Sequence, residues 1–266
     1  MTEKSLEKSV YEKLCGVVDP DDASVDAREL VRFADGDEAK LSDAVGRRLS
    51  GEPLQYIIGE WDFYNCTFRV GEGVFIPRPE TELLVDETLE FLKGRSDGEK
   101  TVLDLCSGSG CIAISIAKNC PEAKVLAVEK SPAAFEFLKQ NIILNQVKVS
   151  AFNDDILDGC GHLTKGRFDV IVSNPPYVRK NELETLQTEV LREPVEALDG
   201  GEDGLVFYHA IADRWLPLVR PGGLLIVECG EDQAEDVKSI FSAASDGAVY
   251  TLDDFAGIHR AVAIKS

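Results

Sequence analysis

The chain has 266 residues, 44% hydrophobic and 29% charged, the composition of a globular protein with room for one large domain and a small one. Its formal net charge is −20, and residues 1–50 (12 acids, 8 bases) carry little of it. A surface that acidic repels phosphate backbones and argues against a nucleic-acid substrate, while leaving open a basic protein partner.

No stretch reaches the roughly 18 uninterrupted apolar residues of a membrane span. The opening MTEKSLEKSVYEK has no apolar segment and carries acids, unlike a signal or transit peptide, so the expected compartment is the cytoplasm. Seven cysteines (Cys15, Cys66, Cys106, Cys111, Cys120, Cys160, Cys229) show no CxxC pair and no zinc-ligand spacing. They read as reduced thiols, and no metal site is expected.

In chain order, residues 1–50 read as short amphipathic helices broken by Asp-Pro-Asp-Asp at 19–22 and Asp-Gly-Asp at 35–37. Residues 51–78 are aromatic, β-branched and punctuated by glycine, which predicts a β-hairpin or extended connector. Residues 79–266 alternate helix and strand as α/β folds do. A helix near 80–93 presents Val85, Leu89 and Leu92 on one face. Thr101–Leu105 is a buried strand, Cys111–Lys118 an apolar helix and Lys124–Glu129 a second strand. Ser131-Pro132 supplies an N-cap and a first-turn proline to a helix whose stripe is Phe135, Leu138 and Ile142. Phe168–Ser173 is another strand, Tyr208, Ile211 and Trp215 mark a later helix, and Gly223–Cys229 reads as a central parallel strand.

Two segments carry chemistry. The first, TVLDLCSGSGCIAI, runs strand, glycine turn, helix, and Gly108 and Gly110 allow close approach of backbone to a ligand. Glu129 lies 19 residues after Gly110, at the distance where a carboxylate binds ribose hydroxyls. A glycine pair alone suits several nucleotide cofactors. Asp104, ending the first strand, would repel a pyrophosphate but suits an ammonium and a sulfonium, and the Gly-x-Gly-x-x-Gly spacing is absent. Both details favour S-adenosylmethionine, with Cys106, Ser107 and Lys130 beside the same turns. Asn153-Asp154-Asp155-Ile156 could supply an acid to the adenine amino group and an apolar contact to its ring. Asp155 and Ile156 are the candidates, with Asp154 an open alternative.

The second segment is Asn174-Pro175-Pro176-Tyr177, directly after a strand, where ligands bind in parallel sheets. A planar NH2 joined to a π-system is a poor nucleophile. The Asn174 side-chain oxygen and the Pro175 carbonyl can each accept one of its N–H groups and hold the nitrogen in line with a methyl donor. Pro175 and Pro176 stiffen the loop, and Tyr177 offers a flat face. Asn174 thus borders both cofactor and substrate. His162, His209 and His259 lie outside these motifs and read as structural or surface residues.

These motifs identify the chain by resemblance. Arg47-Arg48-Leu49-Ser50-Gly51-Glu52-Pro53-Leu54-Gln55-Tyr56-Ile57, Phe75-Ile76-Pro77-Arg78-Pro79-Glu80-Thr81-Glu82, DLCSGSGC, Asn174-Pro175-Pro176-Tyr177-Val178, Glu193-Pro194, Ala197-Leu198-Asp199-Gly200-Gly201, Asp203-Gly204-Leu205 and Asp254-Phe255-Ala256-Gly257 with Arg260 follow in order. Together they resemble the PrmC/HemK family of protein-(glutamine-N5) methyltransferases over residues 47–266. The resemblance implies a seven-stranded Rossmann-like class I methyltransferase domain, a small helical N-terminal domain that docks substrate, and a hairpin linker. It implies methylation of the glutamine in the Gly-Gly-Gln loop of class I peptide chain release factors. Separately, a monomer is expected. It also implies that Pro77, Arg78 and Pro79 wall the active site, with Thr81 and Glu82 beside the cofactor. Glu129 stands where the family more often has aspartate.

An adenine-N6 methyltransferase acting on DNA or RNA is the competing enzyme class, because its substrate also presents a planar NH2. The acidity and the lack of any Lys/Arg run weigh against it. A protein that binds the cofactor without catalysis is disfavoured by the complete tetrapeptide.

Overall fold

Aspartates cap the second and third helices. The computed structural model describes residues 2–95, 99–158, 163 and 168–266; Cys160 and His162 lie outside them. The first helices are α1 (Glu3–Leu14), α2 (Pro20–Ala34), α3 (Glu38–Leu49) and α4 (Leu54–Ile58). The Asp19 carboxylate accepts from Asp21 N at 3.0 Å and Pro20 occupies the first turn, so Asp-Pro-Asp-Asp starts α2 as well as ending what precedes it. Asp37 caps α3 through the backbone N–H groups of Ala39 and Lys40. Val10, Leu14, Leu30, Val45, Leu54 and Ile57 form one core. Helix α4 therefore packs with the N-terminal helices, which corrects the reading of 51–78 as β or extended throughout.

Strands β1 (Glu60–Phe63) and β2 (Cys66–Arg69) form the expected hairpin, turning at Tyr64 and Asn65, both with positive φ. The hairpin is no loose connector. Phe63, Phe68 and Val70 bury in the same core as the main sheet.

That sheet comprises β3 (Thr101–Leu105), β4 (Lys124–Glu129), β5 (Val149–Asn153), β6 (Phe168–Ser173), β7 (Val219–Glu228), β8 (Ala248–Asp253) and β9 (His259–Lys265), in the order β5-β4-β3-β6-β7-β9-β8. Strands β3 to β7 pair in parallel, and β9 runs antiparallel between β7 and β8. The run at 223–229 is thus central but parallel on its β6 edge alone. Helices α5 (Glu82–Lys93), α6 (Cys111–Asn119) and α7 (Pro132–Asn145) cover one face with the hairpin. Tyr208 of α8 (Val206–Ala210), Trp215 just beyond it and Phe241 of α9 (Ala234–Ala244) fill the other.

Helix α7 departs from expectation in two ways. Its buried face is Ala134, Leu138, Asn141 and Asn145, with Phe135 and Ile142 only half buried at its flanks. The two asparagines are satisfied by backbone. Asn141 Oδ1 accepts from Arg69 N at 2.7 Å, and Asn145 Nδ2 donates to Thr67 O at 2.9 Å, which fastens β2 to α7. Ser131 stands at the N-cap position, but its side chain makes no capping bond.

The chain winds outward from β3 through β4 to β5, then returns to β6 on the other side of β3. The carboxyl ends of β3 and β6 therefore flank a topological switch point, the place where such sheets bind ligands.

Candidate active site

A cavity of about 360 Å³ opens at that switch point, lined from the ends of β3, β4, β5 and β6 and roofed by residues 186–198. Its size and mostly apolar wall with a few convergent polar groups suit a small-molecule cofactor.

The turn after β3 places Cys106, Ser107, Gly108 and Ser109 on the wall. Cys106 and Gly108 have positive φ, and Gly108 N donates to Glu129 Oε2 at 2.7 Å. A Cβ on Gly108 would meet nothing within 4 Å, but one on Gly110 would lie 2.4 Å from Leu138 Cδ1. Gly110 does not line the cavity; its missing side chain lets the turn approach α7. Glu129 lines the cavity with both oxygens engaged, the second accepting from Ser131 N at 2.7 Å, and burial raises its carboxyl.

Asp104 is fully buried and lies behind the cavity wall. Oδ2 accepts from Ala113 N at 3.2 Å, whereas Oδ1 has no hydrogen-bond partner among the described residues. Burial pushes this carboxyl up to about 8, against the hydrogen bonds from Ser107 and Ala113 that favour its charge.

On the β4–β5 side, Lys130 and Asp155 both line the cavity and pair at 2.8 Å. Asp154 and Ile156 complete that wall. Asp154 and Asp155 both reach it, so the alternative between them stands, with the Asp155 carboxylate already engaged by Lys130.

Asn174, Pro175, Pro176 and Tyr177 face the same space, together with Pro77, Arg78 and Thr81. Pro79 does not; it borders a separate surface groove. Asn174 Nδ2 donates to Thr81 Oγ1 at 3.1 Å, and the Thr81 hydroxyl donates to Glu228 Oε2 at 2.6 Å. Among the described residues, nothing donates to Asn174 Oδ1 or to the Pro175 carbonyl. Burial raises the Tyr177 phenol. Arg78 stacks on Phe75 at 4.7 Å and pairs with the buried Glu193, which also accepts from Ile76 N at 2.9 Å. It is both a wall residue and an ion-pair partner. Glu82 lies elsewhere, accepting from Tyr64 N at 2.8 Å.

Residues that the sequence reading left without a role hold this loop from behind. Gln233 Nε2 donates to Tyr177 O at 3.0 Å, and Val178 N donates to Leu198 O at 2.9 Å. A Cβ on Gly200 would sit 2.8 Å from Tyr177 Cα, and one on Gly204 2.5 Å from Tyr177 O. At positions 200 and 204 the chain packs so closely on the tetrapeptide that only glycine fits. Glu193, noted in sequence only as part of a motif, holds Ile76 and Arg78, and Glu228 and Gln233 are the missed residues. The usable signal was an acid or amide at the end of an apolar strand, as in GLLIVECGEDQ.

His209 and His259 are exposed and off the cavity wall. Among the described residues no group of three His, Cys, Asp or Glu side chains converges as a metal site, and no helix is long and apolar enough to cross a membrane.

The residues present fit S-adenosylmethionine. An unpartnered buried carboxylate oxygen at Asp104 suits a nearby cationic group, and Glu129 and the Asp154–Asp155 pair are acceptors for hydroxyl and amino groups.

Comparisons with known proteins agree. Residues 71–212 match the methyltransferase small domain family. The chain is 42% identical over 226 residues to a release factor glutamine methyltransferase of Thermodesulfovibrio yellowstonii, covering 85% of this chain and 80% of that one. It is 43% identical over 219 residues to one of Geobacter sulfurreducens, covering 82% and 75%. The fold is similar to the catalytic domain of hMettl16 (TM-score 0.59, 13% identity, 84% of this chain and 82% of that one). It is also similar to the T. Thermophilus 16S rRNA methyltransferase RsmC with AdoMet and guanosine (TM-score 0.56, 20% identity, 78% and 49%). With a switch-point cavity of this make-up and relatives this similar over most of its length, the chain belongs to the release factor glutamine methyltransferase family.

Proposed function

We infer that this chain transfers a methyl group from S-adenosylmethionine to the side-chain amide nitrogen of a glutamine in peptide chain release factors, and that the glutamine is the one in the Gly-Gly-Gln loop of class I factors. The observation that carries the reading is the pair of acceptors without a donor among the described residues, Asn174 Oδ1 and the Pro175 carbonyl, on residues that line a cavity that fits the cofactor. The cofactor, when bound, supplies an electrophilic methyl on a positively charged sulfur.

The chain's own residues do the rest. Asn174 and Pro175 each accept one N–H of the substrate carboxamide and fix its nitrogen. Both bonds strengthen as positive charge develops there. Pro77, Tyr177 and the roof at Leu186, Val190 and Pro194 exclude water around the reacting atoms. No strong base is required, because the cationic product nitrogen is acidic enough to pass its proton to water. The helices of residues 1–50 serve as the docking element, reached through the hairpin, and residues 79–266 form the catalytic domain. The acidic surface suits a basic protein partner in the cytoplasm better than the phosphate backbone an adenine methyltransferase would meet.

The test offers labelled S-adenosylmethionine and purified protein to a class I release factor, its Gln→Ala variant, ribosomal proteins and DNA. Label is expected on the native factor alone. Label on DNA, or equal label on the Gln→Ala variant, would overturn the assignment.

A further inference from the structure

We propose that Glu228 is a positioning residue for methyl transfer: through the Thr81 hydroxyl it fixes the Asn174 amide with its oxygen, not its nitrogen, toward the substrate. The proposal rests on the function inferred above and deepens it.

The two ends of an asparagine side chain are nearly isosteric, so shape alone does not choose between them. An inverted Asn174 would turn N–H groups toward the substrate NH2, donor against donor, and the grip would fail. Proton direction makes the choice. An ionised carboxylate only accepts, so the single Thr81 proton goes to Glu228 Oε2 at 2.6 Å. Thr81 Oγ1 is then left as an acceptor, and it takes Asn174 Nδ2 at 3.1 Å. The amide oxygen must face the other way, toward the cavity that Asn174 lines. The chain also polarises Asn174 and strengthens its oxygen as an acceptor.

Glu228 is an expensive residue to bury for packing alone. It is 2% exposed, and among the described residues no cation lies within salt-bridge distance of it. The groups that act on it are the Thr81 and Asn174 side chains, both as hydrogen-bonding neighbours, Arg260 from β9, Glu80 from the turn before α5, Cys111 from α6, Tyr177 and Tyr208, and the adjacent Cys229. Burial pushes its carboxyl up to about 7, against the opposing effects of Thr81, Arg260 and the Asn174 amide. Once protonated, Glu228 can donate to Thr81, whose own proton is then free to point at Asn174 and invert it. Transfer should therefore follow the ionised form, rising with pH through the neutral range.

The experiment compares Thr81→Val, Thr81→Ser and Glu228→Gln with the wild type. The readouts are kcat and KM on a release factor, cofactor affinity by calorimetry, and the pH profile of kcat. Thr81→Val is expected to lower kcat about tenfold or more, since the orienting bonds are lost, with cofactor affinity within about threefold. Thr81→Ser, which keeps the hydroxyl, should recover most of the rate. Glu228→Gln should lose the acid limb of the profile. Wild-type kcat in Thr81→Val, equal rates in the Val and Ser variants, or an unchanged acid limb in Glu228→Gln would each overturn the proposal. The Asn174 side-chain NH2 resonances give a readout independent of substrate. They should move in Thr81→Val and stay near wild type in Thr81→Ser, even if the release factor proved not to be the substrate. If Glu228→Gln does not fold, the Val and Ser pair decides.

Discussion

Asn174 and Gly200 show how differently two site residues can be read from sequence. Asn174 sits in a tetrapeptide whose chemistry is local: a side-chain oxygen, a neighbouring carbonyl and two stiffening prolines make sense without a fold. Gly200 makes sense only once Tyr177 is seen against it, since a Cβ would lie 2.8 Å from Tyr177 Cα and 2.9 Å from its carbonyl carbon. Gly200→Ala should displace the tetrapeptide and lower kcat about tenfold or more while cofactor affinity changes little, as steady-state kinetics with calorimetry can check. Thr81 and Glu228 are 147 residues apart, and no local pattern announces such a pairing. Asp104 was legible as a carboxylate near the end of a strand, but strand position does not reveal whether it reaches the cavity wall. Its folded carboxyl is raised from the ordinary 3.8 to about 8, so the fold favours the protonated form. That contribution is fully present below about pH 4 and is lost as pH climbs toward 8. Urea unfolding of the cofactor-free protein should show Asp104→Asn gaining stability relative to wild type between pH 5 and about pH 8. A constant difference would mean that the carboxyl is not perturbed.

At the scale of elements, strand limits were legible wherever burial on both faces made a continuous apolar run, as at Thr101–Leu105 and Phe168–Ser173. The buried face of α7 was not, because Asn141 and Asn145 are core residues only by virtue of the hairpin backbone they bind. Contacts of the same long-range kind tie the N-terminal helices to the cavity roof. Arg48, 6% exposed at its side chain, reaches Asp26 at 2.6 Å and Glu189 at 2.9 Å. Arg48→Ala would leave Asp26 buried without its cation and should cost about 3–5 kcal/mol in chemical denaturation, because breaking a buried pair strands the remaining charge. Arg48→Lys should recover only part of this, since an ammonium lacks the guanidinium fork.

For the whole molecule, the α/β class, the helical start and the order of motifs were all readable, because each rests on periodicity or on residues adjacent in sequence. The way residues 73–81 and 186–198 close around one cavity was not, since it depends on contacts across more than half the chain. The net charge of −20 bears on partner choice in a testable way. If a basic release factor is the partner, its KM should rise several-fold between about 0.1 M and 1 M salt, as the Debye length falls from about 10 Å to about 3 Å. Cofactor affinity, set inside a mostly apolar cavity, should move far less. The central claim, that Asn174 aligns a planar carboxamide for transfer, is tested most directly by the single-turnover rate of Asn174→Ala on a release factor at saturating cofactor. The account predicts a loss of about a hundredfold or more, with cofactor affinity within a few-fold of wild type. Near-normal turnover by that variant would contradict it.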